Sequence, residues 1–193
     1  RCLSRGLGDV YKRQAIGTDT KMTYEVMHGN FSLLPNDTLQ KIVYGNLESL
    51  GGITYDSFEN EYASEIYTTF FEPDNKIGSQ ELVRPFNTSH GYGSTDVGDV
   101  SWNVPTAGLR TATWVPGTAS HSWQAVASGG TSIGLKGAEL AAKTLAKSAV
   151  EIFSNPSIII DSKNELKSRV GNDFQYKPLL GDREPPLDYR KVN

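Results

Sequence analysis

An α/β fold is what the sequence predicts, and three observations predict it. Two short runs alternate in the manner of strands, "TKMTYEVMHG" (20–29) and "LRTATWVPG" (109–117). Longer runs with apolar residues at helical spacing lie between and after them. A histidine, His121, stands just past the second run, and in α/β folds ligands gather beyond the carboxyl ends of strands.

Taken in chain order, the elements are justified as follows. Run 20–29 carries β-formers in alternation and reads as a strand. A helix then follows over "LLPNDTLQKIVYGNLESLGG", with Asp37 as N-cap, Gln40 three residues on, and Gly51-Gly52 as the stop. Leu39, Ile42, Val43 and Leu47 make its apolar stripe, and Gly45 weakens its middle by about 1 kcal/mol. A second helix starts at Asp56 with Glu59 as its capping-box partner and runs on to Pro73, its apolar residues being Phe58, Tyr62, Ile66 and Phe70. Residues 72–92 lose all periodicity and read as a long surface loop, of the kind that is often functional. Turn-rich "GSTDVGDVSWNVPTAG" brings Asp96 and Asp99, and 109–117 is the second strand, ending at Pro116-Gly117. The clearest helix covers 135–153, with Ala138, Ala141, Ala142, Leu145, Ala149 and Ile152 as a stripe suited to close packing on a sheet. Lys136, Lys143 and Lys147 line another face. Asn155-Pro156 ends it, a shorter helix spans 156–170, and a polar tail follows from Gly171.

Composition narrows the function. With 37% apolar and 21% charged residues over 193 positions, the chain has the make-up of a globular protein with a substantial core. A net charge of −3 offers no basic stripe for nucleic acid. No apolar run approaches the roughly 18 residues a membrane span needs. Residues 1–14, "RCLSRGLGDVYKRQ", resemble translated sequencing-adaptor text and are expected not to be native. Without them the chain is more acidic and loses Cys2, its one cysteine, so disulfides and thiol catalysis are not expected.

Few residues carry chemistry. His121 sits in "GTASHSWQ" between Ser120 and Ser122, with Trp123 beside it. Adjacent serines do not face an imidazole productively, and no G-x-S-x-G elbow occurs, so a nucleophile triad is unsupported. "SGGTSIG" lacks the Lys-Ser/Thr ending of a phosphate loop and reads as a turn into a helix whose N–H groups could face a carboxylate. Asp96 and Asp99, three apart, share a pocket only if their segment is helical, and otherwise cap turns. His28 and His90 read as exposed. On residues alone, His121 is a structural hydrogen-bonder, a base or a metal ligand.

"GSTDVGDVSWNVPT" and "PGTASHSWQAVASGGTSIGLKGAELAAKTLA" resemble the C-terminal part of the M20 metallopeptidase/amidohydrolase family, in its aminobenzoyl-glutamate utilisation branch. The resemblance covers most of residues 16 to about 185. It implies a hydrolase that cleaves the amide bond of N-acyl amino acids such as p-aminobenzoyl-glutamate, using two divalent ions, zinc in most relatives. By this resemblance the fold is the C-terminal half of a zinc-peptidase-type catalytic domain, a mixed sheet flanked by helices, entered from the last strand of an inserted lid. Residues 15–34 would end that lid and dimerisation domain, 35–170 would be the half-domain, and 171–193 the tail. His121 matches the last metal-ligating histidine. Asp96, Ser120 and Trp123 would support the metal's ligands or touch substrate.

The family's other ligands and its glutamate base would lie upstream of these residues, so no catalytic residue is assigned within the chain, and the chain itself is expected to be inactive. A homodimer or a second, partner chain engaged through the lid, a small N-acyl amino acid as substrate, and a cytoplasmic place complete the expectation; nucleic acid and membrane are not expected partners. The rival reading is a non-catalytic α/β binding or assembly module in which His121 is a core hydrogen-bonder. An upstream His-x-Asp motif and an acidic Glu-Glu pair would separate the two.

Overall fold

Where alternation predicts strands, the computed structural model has extended chain with no sheet. It describes residues 4–193 apart from Glu25, Met27, Tyr92, Ser94, Arg183, Pro185, Pro186 and 188–193, with side chains from Val10 onward. Among the described residues there are helices and no strand, which overturns the α/β expectation and the mixed sheet with it. A strand is a property of a pair, because its N–H and C=O groups must meet a neighbouring ladder. Run 109–117 meets a helix instead. Thr111 Oγ1 donates to the Gly137 carbonyl at 2.8 Å, and a Cβ on Gly137 would stand 2.5 Å from the Ala112 carbonyl oxygen. Glycine there lets the extended segment lie directly on the helix. Run 20–29 carries no strand either, its Glu25 and Met27 lying outside the described residues.

Two compact units make up the chain, Arg1–Asn30 with Lys177–Asn193, and Phe31–Tyr176. The first unit holds α1 (Ser4–Gly17), closed by Thr18 N–H to the Gln14 carbonyl at 3.0 Å. This helix forms over a stretch in which the sequence shows no periodicity. Gly29 packs on the Leu179 side chain.

In the second unit, α2 (Asp37–Leu50) begins one residue earlier than its acidic signal suggests. Asn36 is the cap, its side chain accepting from Leu39 N–H at 3.1 Å. Asp37 sits in the first turn, where Glu165 takes its N–H. In α3 (Ser57–Tyr67) the expected capping box is present: Glu59 N–H donates to Asp56 Oδ1 at 2.9 Å and Asp56 N–H to Glu59 Oε2 at 2.8 Å. It stops at Tyr67, well before Pro73, and Phe58 faces solvent while Glu59, Ala63 and Ile66 are buried. Loop 72–92 holds one 3-10 turn, Ser79–Glu81. Short α4 (Val97–Ser101) and α5 (Trp123–Gly129) are helices the sequence does not announce. Then come α6 (Ser132–Ser154) and α7 (Pro156–Val170), the latter capped by Asn155 and started by proline.

The apolar core joins Ile53, Tyr55, Ala63, Ile66, Val115 and Ile133, so α3, the 53–55 segment, the end of 109–117 and the start of α6 meet there. Helix α6 also packs on α2, α5 and α7. Its buried face is Ile133, Gly134, Gly137, Thr144 and Ser148, not the Ala-rich stripe, of which Ala138, Ala142, Leu145 and Ala149 are exposed. Thr144 and Ser148 turn their hydroxyls onto the Leu140 and Thr144 carbonyls, both at 2.8 Å. Satisfied in this way, they pack as small groups and let Asn46 of α2 approach Glu151, 2.8 Å away. Ala and Leu spacing cannot reveal such a face.

Candidate functional site

The site is built on a turn that must be glycine. Val115, 1% exposed, anchors it, and Thr118 closes it with N–H and Oγ1 both on the Val115 carbonyl, at 3.1 and 2.7 Å. Gly117 has φ +91°, and a Cβ there would lie 2.7 Å from Pro73 Cβ. Further along, Ser122 caps α5. Its Oγ accepts from Ala125 N–H at 3.2 Å and donates to the Ala119 carbonyl at 2.7 Å. His121 is thus fixed between a closed turn and a capped helix.

That confinement forces His121 to φ +62°, the left-handed region. Non-glycine residues rarely take it, at a cost of about 1–2 kcal/mol. The ring gains nothing structural in return: it is exposed and makes no hydrogen bond among the described residues. A core hydrogen-bonder would look otherwise. The strained turn instead displays the imidazole at the rim of an open, mostly apolar hollow lined by Trp114, Ser120, His121, Ser122, Trp123, Ala125 and Val126.

Three of the four residues picked from the sequence, Ser120, His121 and Trp123, therefore come together. Asp96 does not line the hollow; it precedes α4, exposed, and its side chain makes no capping bond. Its neighbour Asp99 is occupied elsewhere, accepting from Phe31 N–H at 3.0 Å and Tyr176 OH at 2.9 Å. Those bonds tie α4 to a cluster in which Phe31 meets Trp102 and Tyr176, and Trp102 meets Phe174. His28 and His90 are exposed. Trp114 is the residue that sequence reasoning missed, although an indole on each side of the histidine turn, at 114 and 123, was a signal in plain view.

A zinc site asks for three or four donors. Among the described residues no three His, Cys, Asp or Glu side chains come together. His121 can supply one imidazole, and these residues alone do not fit a metal pair. Glu59, 4% exposed, pairs with Lys136 at 2.5 Å; burial raises its pKa, but hydrogen bonds from Lys136, Ser132 and the Asp56 backbone, with the Lys136 charge, together hold it below the ordinary value.

The chain matches no family model and no solved structure. It is similar, however, to one chain of a curated hydrolase. That relative is the B subunit of p-aminobenzoyl-glutamate hydrolase from Escherichia coli (strain K12), 30% identical over 176 residues, covering 78% of this chain and 37% of the relative. The chain thus spans little more than a third of the length of the curated relative it matches. No helix among the described residues is long and apolar enough to cross a membrane.

Proposed function

We propose that these residues are part of an M20-type metal-dependent amidohydrolase that cleaves the amide bond of N-acyl amino acids such as p-aminobenzoyl-glutamate. In this reading His121 gives one imidazole to a divalent metal pair, zinc by the family resemblance. The remaining donors and the glutamate that moves the proton belong to polypeptide beyond these 193 residues. A cytoplasmic place, and assembly as a homodimer or with a partner chain, go with the same proposal. The observation that carries it is the exposed His121 ring, without a hydrogen-bond partner among the described residues and held at φ +62° where it lines the hollow, in a chain similar to part of a hydrolase. Ser120 and Ser122 are small enough to leave the ring free to reach outward, and Trp123 walls the hollow beside it.

The test is His121→Ala in a polypeptide extended to the relative's full length. Bound metal should fall below stoichiometric and kcat by more than about 100-fold, beyond what loss of an outer partner of a ligand costs. Full metal content with unchanged kcat would overturn the assignment.

A further inference from the structure

We propose that Trp114 and Trp123 form the subsite for the acyl end of the substrate and select an aromatic acyl group. The proposal deepens the amidohydrolase reading and rests on it. Which end of an N-acyl amino acid enters the hollow is decided by charge. No Lys or Arg lines it, and His121 is its one titratable group. With the metal pair of the proposed reading engaged by the scissile amide, a carboxylate brought there would shed water with no Lys or Arg of the lining to replace it. An aryl ring gives up little there and can rest against the indoles that line the hollow.

Exposure supports the same assignment. Trp123 is 60% and Val126 80% exposed on adjoining turns of α5, while Ala125 and Ser128 on its other side are buried. Neither Trp114 nor Trp123 is in ring contact with another aromatic among the described residues; Trp123 is exposed and Trp114 half-buried, its indole edge beside Gly129. The third tryptophan is the opposite case. Trp102 lies against Phe31 and Phe174 and donates its Nε1–H to the Ser32 carbonyl at 2.8 Å.

Trp102 therefore serves as an internal reference. The indole Nε1–H signals of the 193-residue chain are followed by 1H–15N NMR during titration with benzamide, acetamide and glutarate. Benzamide should shift the Trp114 and Trp123 signals saturably and leave Trp102 in place, while acetamide and glutarate leave all three unmoved. Trp123→Leu, a change at an exposed position, should weaken benzamide binding about three- to tenfold, and Trp123→Phe should keep it within about twofold. Unmoved Trp114 and Trp123 signals, glutarate acting as benzamide does, or full affinity in Trp123→Leu would each overturn the proposal. The readout needs neither metal nor turnover, so its failure is separate from that of the amidohydrolase reading, which the His121→Ala measurement decides.

Discussion

At His121 the backbone carries a strain that the side chain does nothing to relieve. If the ring is there for chemistry, removing it should not hurt the fold. His121→Gly is expected to hold or raise stability, by up to about 1 kcal/mol, because glycine enters the left-handed region freely but loses more chain entropy. Urea melts would read this, and a loss above about 1 kcal/mol would show the imidazole to be a structural group. Tyr55 is the contrasting residue, 5% exposed in the core. Burial, and then the negative charge of Glu59, push its pKa from 10.0 to about 12. Since the folded pKa is the higher, this group's contribution is whole below about pH 10 and is lost as pH rises toward about 12. Tyr55→Phe should make the alkaline loss of stability in that window shallower. Position by position, the sequence made His121 conspicuous but hid its conformation, which is imposed by the Gly117 turn and the Ser122 cap together.

Among the elements, those with local signals were legible. The Asp56–Glu59 box reads directly because both partners lie within one turn of chain, and Pro156 marks the start of α7 for the same reason. What depended on distant partners was not. Runs 20–29 and 109–117 have the alternation of strands but no ladder to join, and α5, seven residues next to a Gly-Gly turn, is too short to show a period. The start of α2 combines both kinds of signal. Asn36 caps it locally, yet Asp37 and Thr38 N–H groups donate to Glu165 of α7 at 2.7 and 2.8 Å, and Arg169 bridges Glu165 and Asp37. Burial raises the Glu165 pKa, but the Thr38, Asp37 and Arg169 bonds outweigh it and bring the value to about 2. An ordinary glutamate binds that proton near pH 4.5, so the contribution is whole above that pH and is lost as pH falls toward about 2. Glu165→Gln should cost about 1–3 kcal/mol at neutral pH. It should also flatten the acid limb between about pH 4.5 and 2, as followed by helical circular dichroism.

For the molecule as a whole, helices α2, α3, α6 and α7 and the histidine turn were within reach of the sequence, while α1, α4, α5 and the fold class were not. Helical periodicity is written along one segment; a sheet is written across several. The site is divided in the same way. Ser120, His121 and Trp123 are neighbours in sequence and stay neighbours in space, whereas Asp96, read into the site by family resemblance, does not line it. With one imidazole and no triad of donors among the described residues, the 193-residue chain should not retain one equivalent of zinc after equilibrium dialysis. A retained equivalent would mean that the chain gathers its own ligands.

The bond from Glu165 back to Thr38 spans 127 residues. On the ribosome, the opening turn of α2 is made early, with only Asn36 to hold it. The Asp37 and Thr38 amides stay wet until α7 has left the exit tunnel and docked. Completion of that helix is therefore a late event in the life of the nascent polypeptide. A stop codon or a protease cut ahead of position 165 would be felt first at the far end, as fraying of a turn whose own sequence is intact.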